Sequence, residues 1–101
     1  MENKDKLINI LEEDPELYKI INSKEIMQIL EQIKTKPQKK EEITRKIYFK
    51  KVSILYNILD ILIKKKIIKK IDIENKEIYY ITDKGNEFMD LCYIAKKKYN
   101  I

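Results

Sequence analysis

One glycine, Gly85, and two prolines, Pro15 and Pro37, are all the specialised backbone residues in this 101-residue chain. Turns that need positive φ or a fixed kink must therefore be few. That scarcity favours helices joined by short connections over a sandwich or barrel, whose many hairpins consume such residues. The length suits one domain with one modest core. Hydrophobic residues at 44% and charged residues at 39% exclude a disordered chain and imply a compact core beneath a densely charged surface.

Apolar spacing divides the chain into elements. Leu7, Ile8 and Leu11 recur as on a helix over residues 4–13. Asp14-Pro15-Glu16 then reads as a new helix start, with Asp14 as N-cap and Pro15 in the first helical position. Leu17, Ile20 and Ile21 form the stripe of this second helix. The stripe changes phase at Asn22-Ser23, and Ser23 caps an amphipathic helix built on Ile26, Ile29, Leu30 and Ile33, which Pro37 ends. A short helix follows, with Glu41 and Glu42 at its positive end and Ile43 and Ile47 one turn apart. After Tyr48-Phe49-Lys50-Lys51 comes the longest periodic stretch. Val52, Leu55, Leu59 and Leu62 share one face, broadened by Ile58, while Lys51, Ser53, Tyr56, Asn57 and Asp60 stand largely opposite. Short helix, turn and longer helix make a helix-turn-helix.

The period changes from helical to alternating after Lys66. Ile71 and Ile73 alternate with Lys70 and Asp72, which predicts a strand with one buried face. Glu74-Asn75-Lys76 supplies a tight turn with Asn75 at positive φ, and Ile78-Tyr79-Tyr80-Ile81 returns as the second strand. Thr82 caps a last helix lined on one side by Phe88, Leu91, Cys92, Ala95 and Tyr99. The predicted fold is mainly α with a small β-hairpin: a winged helix-turn-helix behind an N-terminal helical extension. Residues 1–22 form the extension, 23–82 the winged helix-turn-helix and 83–101 the C-terminal helix, all in one compact domain.

Two motifs carry a family resemblance. LDILIKKKIIKK (59–70) resembles the LxxLxxxGLI end of a winged-helix recognition helix, and YYITDKGNEFM (79–89) is similar to the YxLTxKGxxFL signature that closes the wing in many prokaryotic regulators. Over residues 23–95 the chain resembles small archaeal winged-helix proteins whose C-terminal helix forms a dimeric coiled coil, and more loosely MarR-like and PadR-like regulators. Lys66 occupies the usual glycine position of the first motif. A left-handed conformation there costs a lysine about 1 kcal/mol relative to glycine, so a different helix ending is expected.

Charge follows position. Residues 1–22 carry three lysines against six acids, net −3, and the rest of the chain is net +8. Between Lys34 and Lys51 alone there are eight basic groups against Glu41 and Glu42. Such a stretch attracts a polyanion. Lys and Ile, at 21 each, also match the codon bias of an AT-rich genome, so basicity alone does not establish a nucleic-acid partner.

The resemblance implies that the second helix of the helix-turn-helix lies in a DNA major groove. On that reading Lys50, Lys51, Ser53, Tyr56 and Asn57 face the groove, Asn57 suits adenine, and Ile54 packs or touches a thymine methyl. Lys39, Lys40, Arg45 and Lys46 flank it as phosphate contacts, with Lys76 on the wing. Lys69 and Lys70 are offset by Asp72, Glu74 and Glu77, so the wing is nearly neutral. Double-stranded DNA is the expected partner, and a regulator or architectural protein the expected role. A protein–protein module in a transcription or replication assembly is the alternative, and structured RNA a weaker one. Stacking of single strands on Tyr48, Phe49, Tyr79 and Tyr80 is disfavoured, because aromatics at such places usually belong to the core. Phe88, Leu91, Cys92, Ala95 and Tyr99 are the candidate homodimer seam. Part of this stripe covers the domain's own core, the part beyond Ala95 is left to pair with a second subunit, and the N-terminal helices could serve instead by packing on this helix. A two-fold dimer would set two recognition helices about 34 Å apart.

Catalysis has no footing. The chain lacks His, its adjacent acid pairs point in different directions on a helix, and no glycine-rich phosphate loop occurs. No enzyme activity, cofactor, metal or small-molecule substrate is expected. Cys92 has no second cysteine to pair with, the start MENKDK does not read as a signal peptide, and no apolar run spans a bilayer, so a cytoplasmic location is expected.

Overall fold

A computed structural model describes residues 3–99, with the side chains of residues 6, 8–20 and 22–94. The chain runs α1 (Asn3–Glu13), α2 (Glu16–Asn22), α3 (Lys24–Thr35), β1 (Gln38–Lys39), α4 (Lys40–Lys46), α5 (Val52–Lys64), β2 (Ile68–Ile73), β3 (Lys76–Ile81) and α6 (Asp83–Tyr99). The helices and hairpin follow the order that apolar spacing predicts. The strand β1 is additional. It pairs antiparallel with β3, Gln38 opposite Tyr79 and Lys39 opposite Ile78, so the sheet is three-stranded in the order β1-β3-β2. A two-residue strand is too short for any alternation to announce it.

The core is aliphatic. Ile29, Leu30 and Ile33 of α3, Ile43 of α4, Leu55, Leu59 and Leu62 of α5, Ile68 of β2 and Met89 and Cys92 of α6 are essentially fully buried. Leu17 and Ile20 of α2 close the core from the N-terminal side, while α1 packs along α6. Ser23 caps α3 as predicted, its Oγ accepting the Ile26 amide at 3.3 Å. Outside the core, α3 and α6 are fastened by Lys34–Asp90 at 2.9 Å and by the Tyr93 hydroxyl, which donates to Glu31 at 3.1 Å. Among the described residues no helix is long and apolar enough to cross a membrane.

Four local expectations are corrected. Asp14 does not cap α2: Pro15 holds the cap position without a side-chain bond, and the Asp14 carboxylate instead receives Lys65 Nζ at 2.8 Å. Ile71 and Ile73 are exposed rather than buried, because the hairpin projects past the body of the domain and, of β2, only Ile68 at its base is buried. Tyr48 is not core either. It is 86% exposed in the α4–α5 turn, whereas Phe49 beside it is half-buried and Tyr79 is buried.

The fourth correction concerns Lys66, which does take the left-handed conformation, at φ 62°. The Ile67 amide donates to the Leu62 carbonyl at 3.0 Å and the Lys66 amide to Ile63 at 2.9 Å, the bond pair of a Schellman ending. Ile67 and Leu62 are both buried, which supplies the apolar contact that accompanies this motif. Those bonds outweigh the side-chain cost. The hairpin turn likewise puts both Glu74 (φ 51°) and Asn75 (φ 64°) at positive φ, a two-residue primed turn whose twist matches its strands.

Gly85 answers to space, not to φ. A Cβ there would lie 2.1 Å from the Ile67 carbonyl oxygen and 2.7 Å from Ile81 Cγ1. Its amide donates to Thr82 Oγ1 at 3.0 Å, and that hydroxyl in turn shares its one proton between the carbonyls of Lys66 (2.6 Å) and Ile67 (2.9 Å). Thermal unfolding should separate the two positions. Lys66→Gly is expected to stabilise the domain by about 1 kcal/mol. Gly85→Ala is expected to destabilise it by about 2 kcal/mol or more, because backbone rather than a mobile side chain stands in the way.

Candidate nucleic-acid interface

Helix α5 buries Leu55, Ile58, Leu59 and Leu62 and turns its other side to solvent. Ser53, Asn57, Asp60 and Lys64 follow at spacings of four, three and four along the middle of that free side, all exposed. Tyr56 and Val52 lie on one flank, 42% and 56% exposed, and Ile54 and Ile61 on the other. Val52 was expected on the buried face. Standing in the first turn, it lies beyond the reach of the core that covers Leu55 one turn later. Among the described residues the Asn57 amide and the Ser53 hydroxyl have no side-chain partner, so their hydrogen-bonding atoms are available.

The start of α5 is also uncapped. Lys51 holds the N-cap position, and an ammonium cannot accept the first-turn amides. Those amides, with exposed Lys50 and Lys51, make this end of the helix strongly positive.

A second feature lies beside α5. Lys39 from β1, Lys40 and Arg45 from α4 and Lys76 from the hairpin line one cleft of about 620 Å³, together with Glu41, Glu42, Asn75 and Glu77. Four of the predicted phosphate contacts thus converge, although the chain places them on separate elements. Lys46, Lys50 and Lys51 are exposed around the α4–α5 turn and lie outside the cleft. The cleft is of mixed charge. The Glu42 carboxylate accepts the Lys39 backbone amide at 3.1 Å, a bond that holds its carboxyl below the usual range, with nearby lysines adding to the effect.

Glu77 was read from the sequence only as a charge offsetting the hairpin. Its role is more specific. Its carboxylate lies 3.5 Å from Lys70 Nζ and 3.4 Å from Lys40 Nζ, and it accepts the Tyr79 hydroxyl at 3.3 Å. Lys70, and then Lys40, depress the Glu77 carboxyl below its ordinary value. Burial and the Glu77 charge push the Tyr79 phenol up to about 12. Lys40 also sits 4.4 Å from the centre of the Tyr56 ring. Partial burial disfavours its ammonium, but Tyr56 and Glu77 together overcome that and hold it above the usual lysine value. This chain of contacts joins the hairpin, α4 and the exposed face of α5. It was invisible in the sequence, where Lys40, Tyr56 and Glu77 are far apart.

The sequence matches the winged helix-turn-helix family over residues 22–99. The chain belongs to that family. In its terms α5 is the recognition helix and β2–β3 the wing. No curated protein matches the sequence. Among solved structures this winged helix-turn-helix domain is similar to the transcriptional regulator YodB of B. subtilis in its reduced form, with a TM-score of 0.67 and 20% identity over 83% of this chain and 89% of that one. It is similar also to the type III plasmid segregation protein TubR, with a TM-score of 0.66 and 16% identity over 80% and 81% of the two chains. HlyU of Vibrio cholerae N16961 matches over the full length of both chains, with a TM-score of 0.67 and 15% identity. At such identities the likeness is one of fold.

Part of the candidate dimer seam covers the domain's own core. Phe88, Leu91 and Cys92 are buried within the domain's own core, so α6 spends that face on its own chain. The side chains of Ala95 and Tyr99 lie outside the described residues.

Glu77→Gln tests the electrostatics of the cleft. The amide oxygen still accepts the Tyr79 hydroxyl, but the countercharge to Lys40 and Lys70 is gone. The variant should elute from heparin at higher salt than the parent. An unchanged elution would mean that these lysines do not contribute to the field a polyanion meets.

Proposed function

We propose that this winged helix-turn-helix domain binds double-stranded DNA, with α5 in the major groove, as a transcriptional regulator or an architectural protein. The observation that carries the reading is the free side of α5: Ser53, Tyr56 and Asn57 are exposed, and a lysine-bearing cleft adjoins them. A helix with one locked face, an open polar face and cations at its edges matches the requirements of groove entry, where base edges specify and phosphates position. Lys39, Lys40, Arg45 and Lys76 contact phosphates from the cleft, and Lys46, Lys50 and Lys51 from the turn. With one arginine in the whole chain, affinity rests mainly on lysine charge.

Fluorescence anisotropy with a labelled duplex between 50 and 300 mM salt checks this. Affinity should fall steeply with salt, and Lys50→Ala and Lys51→Ala should each flatten the logarithmic slope by about one. Binding that is absent, or indifferent to salt, would refute groove binding and favour a protein partner for the same face.

The working unit is proposed to be a homodimer, since paired recognition helices about 34 Å apart would engage successive major grooves. With Phe88, Leu91 and Cys92 committed to the core, the contact falls to α1 and α2. There Ile8, Leu11, Pro15 and Tyr18 border an almost wholly apolar groove of about 410 Å³. The contact would continue along the end of α6, where the family resemblance puts a coiled coil. Sedimentation should show a dimer that Tyr18→Glu shifts to monomer. Tyr18 is 56% exposed in the single chain, so the change should leave the fold intact.

A further inference from the structure

We infer that the recognition face of this domain is built to read A·T base pairs, an assignment that rests on the duplex-binding reading above and goes beyond it to the class of sequence bound. The groove-facing half of α5 is its N-terminal half, and the chemistry there is one-sided. Guanine shows the major groove two acceptors, N7 and O6, and is best met by a rigid donor fork. No arginine is present on α5, since the single arginine of the chain, Arg45, lies on α4 and lines the cleft. Lys50 and Lys51 precede the helix. As flexible point charges they are satisfied equally well by phosphates.

What α5 does offer suits the other pair. Asn57, exposed and with no partner among the described residues, has the donor and acceptor that match adenine N7 and N6. Val52, 56% exposed in the first turn, presents an aliphatic side chain that the domain leaves more than half uncovered. A thymine C5-methyl is the apolar feature of the major groove that such a surface can bury. Between them, one turn on from Val52, the Tyr56 ring is stacked under Lys40 at 4.4 Å, and Lys40 is tied to Glu77. That ring therefore stands as a braced apolar wall beside Asn57. Further along, exposed Asp60 can only accept, which the amino groups of adenine and cytosine satisfy equally, so it does not tell the two pairs apart.

Selection from a random duplex pool, followed by anisotropy on the selected duplex at fixed salt, tests the inference. The selected core should consist of A·T pairs, and exchanging the central ones for G·C should weaken binding about tenfold. Asn57→Ala should reduce that discrimination to the part that the thymine methyl supplies, and leave the salt slope unchanged. Replacing thymine by uracil deletes only the methyl group. It should weaken the parent about threefold per contacted base and leave Val52→Ala unaffected. Both positions are exposed, so neither variant threatens folding. A G·C core, or equal affinity for all duplexes with the salt slope intact, overturns the inference and leaves duplex binding standing. Absence of any duplex binding overturns both.

Discussion

The carbonyl of Ile67 is the point on which the geometry of this domain turns. It accepts the Thr82 amide at 3.0 Å and the Thr82 hydroxyl at 2.9 Å, and it lies so close to Gly85 that no side chain fits between them. Through that one group the end of the recognition helix, the base of the wing and the first turn of α6 are held together. Left-handed Lys66 makes the approach achievable, because it reverses the chain tightly enough for Ile67 to follow Leu62 back into the core. Lys65 extends the junction. Its ammonium reaches Asp14 at 2.8 Å and Glu16 at 3.6 Å at the elbow between α1 and α2, and Lys84 Nζ donates to its carbonyl at 3.1 Å. The hydrogen bond that Lys65 donates to Asp14 holds its ammonium pKa above the usual lysine value, against the opposing effect of desolvation. The angle at which α5 is presented is therefore set by backbone bonds at its C-terminal end, away from the half that faces outward.

That separation matters physically. The N-terminal half of α5 carries an uncapped first turn, exposed Val52 and an Asn57 with no partner among the described residues, features that do little for an isolated domain. A sequence shaped by stability alone would place an acceptor at Lys51 and a polar residue at Val52. Stability is concentrated at one end of the helix and surface chemistry at the other, as expected of a rigid support for a contact face.

Charge is tempered rather than maximised. Glu77 engages Lys40 and Lys70 at once, and Glu42 lies in the same cleft. Exposed pairs of this kind contribute little to stability. Their larger effect is on position, since Lys40 is held over Tyr56 and not left to sweep the solvent. The cost is a weaker net field in the cleft than its four cations would otherwise produce.

The succession of helices, the hairpin, the Ser23 and Thr82 caps and the outward placement of Ser53, Tyr56 and Asn57 were all legible in the amino-acid order, because each depends on residues within a few positions of one another. The same spacing was misleading where a tertiary boundary intervened. Ile71 and Ile73 alternate as a buried strand does, yet along β2 the core reaches no further than Ile68. Phe88, Leu91 and Cys92 lie on a stripe that a second chain could share, yet α1 and the domain's own core consume that face of α6. The β1 pairing, the use of Asp14 for Lys65 and the Lys40–Tyr56–Glu77 contacts came from the tertiary structure alone. Periodicity records which side of an element is apolar; how far the core extends to cover that side, and which distant charge comes within reach, are properties of packing.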